Sequence, residues 1–383
     1  MRRLPLLGVK VLELEGLAIA PHAGMVLSDF GADVVRVDRK GREPHYGTTA
    51  LGRGKRRLPL DLKDVDDHAT FRALAMKADV LIEPYRPGVM EALRLGPLDL
   101  CGDEEDGDGE GDDDDDDDDE EGEAINRRLL YVRMTGWGQS GPRSRLAGHD
   151  INYIAQAGVL NMIRDPQSDT PVPPVNFLGD FAGGSVSAVM GIALALLERE
   201  KSGRGQVIDA NVTEGAAYLS SFIWKLASLP GGWQDPPGSN MLDGAAPFYG
   251  VYKTLDERHM AVGAIEPAFW SELLEKLGLD AAEVHAQSDR TKWPELRSLM
   301  RDVFAKHTQA HWTRVFEGSD ACVSPILDRE QCMSDRHNVA RGMFTEDGMP
   351  TPAPILCSTP GRPGYAGKSG DGELLASVEN VRW

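Results

Sequence analysis

Cysteine is scarce in this chain. Four residues in 383, Cys101, Cys322, Cys332 and Cys357, stand in no paired motif. That excludes a disulfide framework and supplies no zinc spacing; reduced thiols of an intracellular protein are expected. No apolar run reads as long enough to cross a bilayer, and the opening Met1-Arg2-Arg3-Leu4 leads into no signal-peptide pattern, so a soluble chain with no membrane partner is expected. His45, His259, His307, His311 and His337 fall in no ligand spacing, which argues against a metal site. Nucleic acid is not an expected partner either, because no basic stripe carries interleaved aromatics. The turn after the first strand pattern, Glu15-Gly16-Leu17-Ala18-Ile19-Ala20-Pro21, lacks G-x-G-x-x-G, which disfavours a bound dinucleotide.

Acidic charge is plentiful but concentrated. Residues 102–123 hold seventeen Asp and Glu and no base, so the net charge of −20 falls to about −3 without them. Like charges this dense repel, and with nothing apolar to bury, the segment is expected to be a disordered insert. It lacks the spaced glycine and terminal Glu of an EF-hand loop.

The first half alternates strand and helix signals. Val9–Leu14 reads as a strand, Pro21–Phe30 as a helix closed by Gly31, and Val34–Val37 as a second strand. The pattern repeats with a strand at Leu58–Leu62, a helix from Asp66 to Lys77, and strands at Val80–Ile82, Leu129–Met134 and Val207–Ala210. Gly184–Glu200 reads as a buried helix, and Glu214–Leu226 as another helix. An open, doubly wound α/β sheet accounts for this order. The expected division is a large domain over 1–225, a linker over 226–250, a smaller α+β domain over 251–325, and a C-terminal segment, 326–383, returning to the large domain.

Two islands about thirty residues apart each offer a proton carrier in glycine-bearing surroundings, Gly148-His149-Asp150-Ile151-Asn152-Tyr153 and Asn176-Phe177-Leu178-Gly179-Asp180-Phe181-Ala182-Gly183-Gly184. Two bases on opposite sides of one carbon are what inversion of an acidic C–H centre requires. With Gly31–Arg39, Thr135–Pro142, Gly205–Ala210, Gly263–Pro267 and Asp320–Pro325, the islands come in an order that resembles the α-methylacyl-CoA racemases of the class III CoA-transferase superfamily. The resemblance spans roughly residues 5–355 apart from the acidic insert.

The resemblance implies a Rossmann-like large domain, a small domain, and an interlocked homodimer. It implies a 2-methylacyl-CoA thioester as substrate, with inversion at C2 and no cofactor beyond the CoA carried by that substrate. His149 and Asp180 match the two bases, Glu266 a carboxylate that orients the site, and Asn176 lies in the segment leading to Asp180. Arg39, Leu60, Asp61, Leu62, Lys63 and the run Gly148, Asp150, Ile151, Asn152 and Tyr153 match CoA-contacting positions, and Arg86 lies in a segment near the nucleotide. Relatives work in peroxisomes and mitochondria in eukaryotes and in the cytoplasm in bacteria, and the sequence leaves the compartment open.

Residue by residue, plainer readings exist. Taken alone, His149 reads as a capping or packing residue, Asp180 as a cap for a helix beginning near Ala182, Glu266 as a cap for the helix after Pro267, and Arg39 as a surface charge; it is the family resemblance that favours the catalytic roles. Lys55-Arg56-Arg57 reads as phosphate-steering or as a solvated loop. A true CoA transferase would use Asp180 as a nucleophile through aspartyl-CoA anhydrides. A catalytically silent scaffold would use the acidic run to recruit basic partners. Deletion of 102–123 separates that last option: racemisation of a 2-methylacyl-CoA, followed by chiral separation of the hydrolysed acid, is expected to continue at the full-length rate. Collapse of turnover on deletion would give the insert a functional part.

Overall fold

Because successive strands of a parallel sheet are buried on both faces, their residues divide between two cores. The computed structural model describes residues 3–102, 124–164, 170–234, 236–279, 287–364, 373–375, 379, 381 and 383. The acidic run from 103 to 123 lies outside them. The chain divides into two compact units: Met1–Ala157, Val175–Leu219 and Thr351–Trp383 form the first, and Gly158–Pro174 with Ser220–Pro350 the second.

The first unit is built on β1 (Lys10–Leu14), β2 (Asp33–Arg39), β3 (Arg56–Leu60), β4 (Val80–Glu83), β5 (Leu130–Thr135), β6 (Gln206–Asn211) and the short β10 (Glu373–Leu374). Their spatial order is β10-β3-β2-β1-β4-β5-β6, with parallel pairing throughout. Without the two-residue β10 this is the doubly wound 3-2-1-4-5-6 order. Alternation along the strands sends Leu12, Leu14, Val35, Val37, Leu81 and Tyr131 to one face with Phe71, Leu74 and Ala75 of the helix Val65–Ala75. Val11, Val34, Val80, Ile82 and Val132 go to the other, against Ala20, Ala23 and Leu27 of α1 (Ile19–Asp29) and Ala188, Ile192 and Ala195 of the helix Ser187–Ser202.

The second unit holds the antiparallel sheet β7 (Tyr249–Lys253), β8 (His259–Gly263) and β9 (Val323–Pro325). Its core gathers Trp270, Trp293, Phe304, Trp312 and Phe316. Ala246 and Phe248, inside the stretch expected as a linker, are buried in that core, so hydrophobic packing overrides the Pro- and Gly-rich composition there.

Several boundaries differ from the sequence expectation. The third strand runs Arg56–Leu60, leaving Asp61-Leu62-Lys63 in the turn beyond it, where the Lys63 N–H donates to Asp61 Oδ1 at 3.1 Å. Glu214–Leu226 is interrupted at Ser220 into Val212–Leu219 and Ser221–Ala227. The helix expected from Gly184 begins at Phe177, as a π-type turn to Val186 that continues into Ser187–Ser202. By length and composition this 26-residue run is apolar enough to cross a bilayer, correcting the expectation that none is. Nor is it wholly buried: Val186, Met190, Leu194 and Leu197 are exposed while the opposite face packs on the sheet.

A second correction concerns the basic run. Lys55 is fully buried, its Nζ 2.6 Å and 2.9 Å from the two Glu13 carboxylate oxygens and 2.7 Å from the Pro21 carbonyl oxygen. Arg56 pairs with Asp33 and Arg57 with Asp38, each at 2.6 Å. These cations hold the frame together and are not loose charges at its edge. Burial pushes Glu13 up and Lys55 down, each toward its neutral form, so the pair's attraction works against its own desolvation. Lys55→Met is expected to cost about 3–5 kcal/mol, because it strands a buried carboxylate. Glu13→Leu combined with Lys55→Met should recover most of that loss. Urea unfolding of the wild type and the two variants checks this, and a double variant as unstable as the single one would refute it.

Candidate active site

In a doubly wound sheet the ligand crevice lies beyond the carboxyl ends of the strands, and the candidate residues gather at those ends. Arg39 is the last residue of β2 and is exposed, while its N–H donates to Glu15 Oε2 at 2.9 Å. Leu60 closes β3 with its side chain in the core, followed by exposed Asp61, partly buried Leu62 and exposed Lys63. Tyr85 and Arg86 follow β4. The Tyr85 phenol is pushed up to about 12, foremost by burial, with Glu15 and Glu83 adding and Arg39 opposing.

A carboxylate clasp fixes the turn after β4. Glu83 is fully buried at the strand end. It accepts the Tyr85 N–H at 2.8 Å and faces Arg133 of β5 at 3.1 Å. Arg133 also pairs with Glu91 at 2.7 Å, and Glu91 accepts the Gly88 N–H at 3.0 Å. Burial foremost raises Glu83 to about 7 against the pull of Arg133.

His149 occupies the position before the helix Asp150–Gln156, its backbone N–H donating to Asn152 Oδ1 at 3.0 Å. The imidazole makes no cap and is exposed. Tyr153 closes the approach: its hydroxyl donates to the Gly148 carbonyl at 2.5 Å, and its ring meets Trp137 edge-on at 4.8 Å. The carboxylate of Asp150, only 6 % exposed, turns inward. Its Oδ1 accepts the Asp180 N–H at 2.7 Å, and the Gly179 N–H bonds to the same carboxylate. A side chain at Gly179 has no room here, since a Cβ would lie 2.2 Å from Asp150 Oδ1.

Asp180 is part-buried in the π-type turn and is no N-terminal cap, because the helix already starts at Phe177. Asn176 lies just before that turn and donates from Nδ2 to Asp180 Oδ2 at 3.3 Å. Burial is the largest influence on Asp180 and raises its pKa. Asn176 pulls it down, Asp150 adds to the rise, and His149 lowers it. Asp180 in turn raises the Tyr153 phenol beyond the effect of its burial, while Arg86 lowers it. His149, Asp150, Tyr153, Asn176, Asp180 and Arg86 thus form one electrostatic neighbourhood within the first unit. Phe177, three residues before Asp180 in the same turn, is 64 % exposed and does not shield it. Ile151 and Asn152 are both exposed on the first turn beyond His149. Glu266 belongs to the second unit, at the start of the helix Pro267–Leu277, and its side chain makes no cap bond.

Two features escaped the sequence reading. The inward carboxylate of Asp150 was legible only as a residue of a contact motif, although an acid directly before a helix interior is a signal for backbone N–H groups. Glu83 could have been found as an acid ending an otherwise apolar strand.

The sequence matches CoA-transferase family III over residues 6–102 and 117–363. It is 48% identical over 375 residues to the α-methylacyl-CoA racemase of Mus musculus, covering 97% of this chain and 91% of that protein. The α-methylacyl-CoA racemase of Homo sapiens is 48% identical over 362 residues, covering 94% and 88%. In fold the chain is similar to a CaiB/BaiF family protein from Brucella suis, with TM-score 0.77, 22% identity, and 100% and 99% of the two chains covered. With its sheet order, its strand-end site and these likenesses together, the chain belongs to CoA-transferase family III.

Proposed function

We propose that this protein is an α-methylacyl-CoA racemase, inverting C2 of 2-methylacyl-CoA thioesters by two-base proton transfer through an enolate. One observation carries the reading: the Asp180 N–H bonds at 2.7 Å to the carboxylate of Asp150, the residue directly after His149, so the segments bearing the imidazole and the carboxylate are held together. The α-hydrogen of a thioester is far less acidic than any side chain, so the developing oxyanion must be stabilised as the proton leaves. Gly179 and Asp180 have their N–H groups engaged by the Asp150 carboxylate. The Asn152 N–H already donates to the His149 carbonyl at 2.8 Å, so the N–H groups of Asp150 and Ile151, which open the helix, are the favoured oxyanion donors.

In this reading neutral His149 takes the C2 proton on one face, and protonated Asp180 returns one on the other. The opposite enantiomer uses them in reverse. Burial of Asp180 favours its protonated form and so suits it to the donor role. Asn176 holds its carboxyl. No organic cofactor or metal takes part. Arg39, Lys63 and Arg86 supply cations for the CoA phosphates, with Asp61, Leu62, Gly148, Ile151, Asn152 and Tyr153 as further CoA contacts; Leu60 and Asp150, whose side chains are buried, contribute backbone alone. A homodimer is also proposed; Val186, Met190, Leu194 and Leu197 form the kind of exposed apolar stripe that a second copy would cover.

Deuterium exchange at C2 in heavy water tests the mechanism. His149→Ala is expected to remove exchange from one enantiomer more than the other, and Asp180→Ala to show the opposite bias. Equal, negligible losses would overturn the two-base assignment. A strict requirement for a second acid as acceptor would instead establish acyl transfer through Asp180.

A stability measurement checks the electrostatics separately. Asp180 has a raised folded pKa, so its charged form detracts from stability above that pKa, and the deficit disappears as pH falls through it toward the ordinary value of about 3.9. Asp180→Asn is expected to raise Tm at pH 7, with the gain shrinking to nothing near pH 3. A gain that persists in acid would contradict a desolvated carboxylate.

A further inference from the structure

A ten-residue π-type turn, Phe177–Val186, carries Asp180. Its wide closure appears in the Phe181 N–H bond to the Asn176 carbonyl at 3.3 Å, five residues back. Such turns are rare because ordinary α-helical bonding competes with them, and they concentrate at functional sites. Tightening by one residue would rotate every following side chain by about 100°. The register therefore needs holding from outside. At Gly179 and Asp180 the Asp150 carboxylate does this. The far end is held from α1.

His22 of α1 places Nδ1 2.7 Å from Ser185 Oγ, and Ser185 is fully buried. The same imidazole lies against the ring of Phe181, the residue after Asp180, with centroids 4.8 Å apart and planes at 40°. Ile19, one turn earlier on α1, fills the space beside Gly184, where an added Cβ would lie 2.9 Å from its Cγ2. α1 is itself anchored, since the carbonyl of Pro21, adjacent to His22, accepts from the buried Lys55. Burial, with Lys55 and Arg53 nearby, pushes the His22 imidazole down to about 4. It therefore remains neutral at physiological pH and keeps one ring nitrogen as donor and one as acceptor.

We propose that His22 is a positioning residue: by holding Ser185 and bracing Phe181 it fixes the π register of Phe177–Val186 and with it the aim of Asp180. The inference rests on the two-base reading and deepens it. His22 acts through Ser185 and Phe181, so its loss should misdirect Asp180 while leaving His149 and CoA binding intact.

The test uses the full-length protein with His22→Phe, which keeps an aromatic ring against Phe181 but no nitrogen, and Ser185→Ala, which removes the other partner. Both variants are first checked for folding by far-UV circular dichroism and thermal unfolding. In each, kcat for racemisation is expected to fall roughly ten- to a hundredfold, the scale on which about 1 Å of misplacement acts, with KM changed by less than about twofold. The double variant should lose no more than either single one. The decisive readout is the enantiomer bias of C2 deuterium exchange, which should shift in the same direction as in Asp180→Ala. Loss without that bias, or wild-type kinetics in both folded variants, would overturn the inference while the two-base reading stands. If Asp180→Ala itself shows no bias, the two-base reading fails and takes this inference with it. If His22→Phe does not fold, the kinetics and bias of Ser185→Ala decide on their own.

Discussion

One hydrogen bond, from the Asp180 N–H to Asp150 Oδ1 at 2.7 Å, joins two segments thirty residues apart in sequence. Asp150 follows His149 directly, and the group it holds is the amide of Asp180 itself. The separation of the two candidate bases is therefore set at the backbone, where there is little freedom, and not by long side chains reaching toward each other. A carboxylate is suited to the task because charged acceptors bind N–H groups about twice as strongly as neutral ones. The same charge raises Asp180, so one residue both positions the acid and tunes it. That coupling requires Asp150 to be buried, and the two backbone N–H groups offset part of the cost of burying it.

The frame beneath this site is ionic as well as apolar. Glu13, Lys55, Arg36 and Asp38 are almost wholly inaccessible, yet they sit on or next to central strands. The β1–α1 turn shows what they achieve. Lys55 takes the Pro21 carbonyl, Thr48 Oγ1 donates to the Gly16 carbonyl at 2.6 Å, and Ala18 is held at φ 46°. In dinucleotide-binding sheets this turn is glycine-rich so that a pyrophosphate can approach the helix. Here side chains of the protein determine its path, which accounts physically for the missing fingerprint. Of the basic residues considered at the strand ends, Arg39, Lys63 and Arg86 remain exposed.

The sheet was legible in the sequence because burial on both faces leaves an apolar signature of a few residues, as in Val80-Leu81-Ile82 and Leu129–Met134. The residue pair His149 and Asp180 was legible too, though only through the order of several motifs; neither residue alone carries a distinguishing local pattern. Three things were hidden. Lys55-Arg56-Arg57 looks like a solvated basic run in sequence, since its partners Glu13, Asp33 and Asp38 lie 19 to 42 residues away and only the sheet brings them close. Residues 226–250 look like a linker because composition reports backbone freedom, whereas Ala246 and Phe248 owe their burial to packing. The π register was invisible because small and glycine residues tolerate several helical closures equally well.

Apolar content alone makes the helix after the π-type turn look buried, and its exposed face shows a general ambiguity. A helix apolar on all sides can lie in a core, in a bilayer, or between two protein surfaces. Phe177–Ser202 resolves part of this by its own contents. It carries Asp180 near one end, and its small residues Ala188 and Ala195 face the sheet with Ile192. Its larger Met190, Leu194 and Leu197 point the other way. Small residues allow the helix to approach the sheet closely, which fixes the π-type turn and Asp180 at a defined height above the strands. The exposed apolar face is then a separate property of the same helix. Covering it would bury a continuous stripe at roughly 25 cal/mol per Å² and would stiffen the element that aims Asp180.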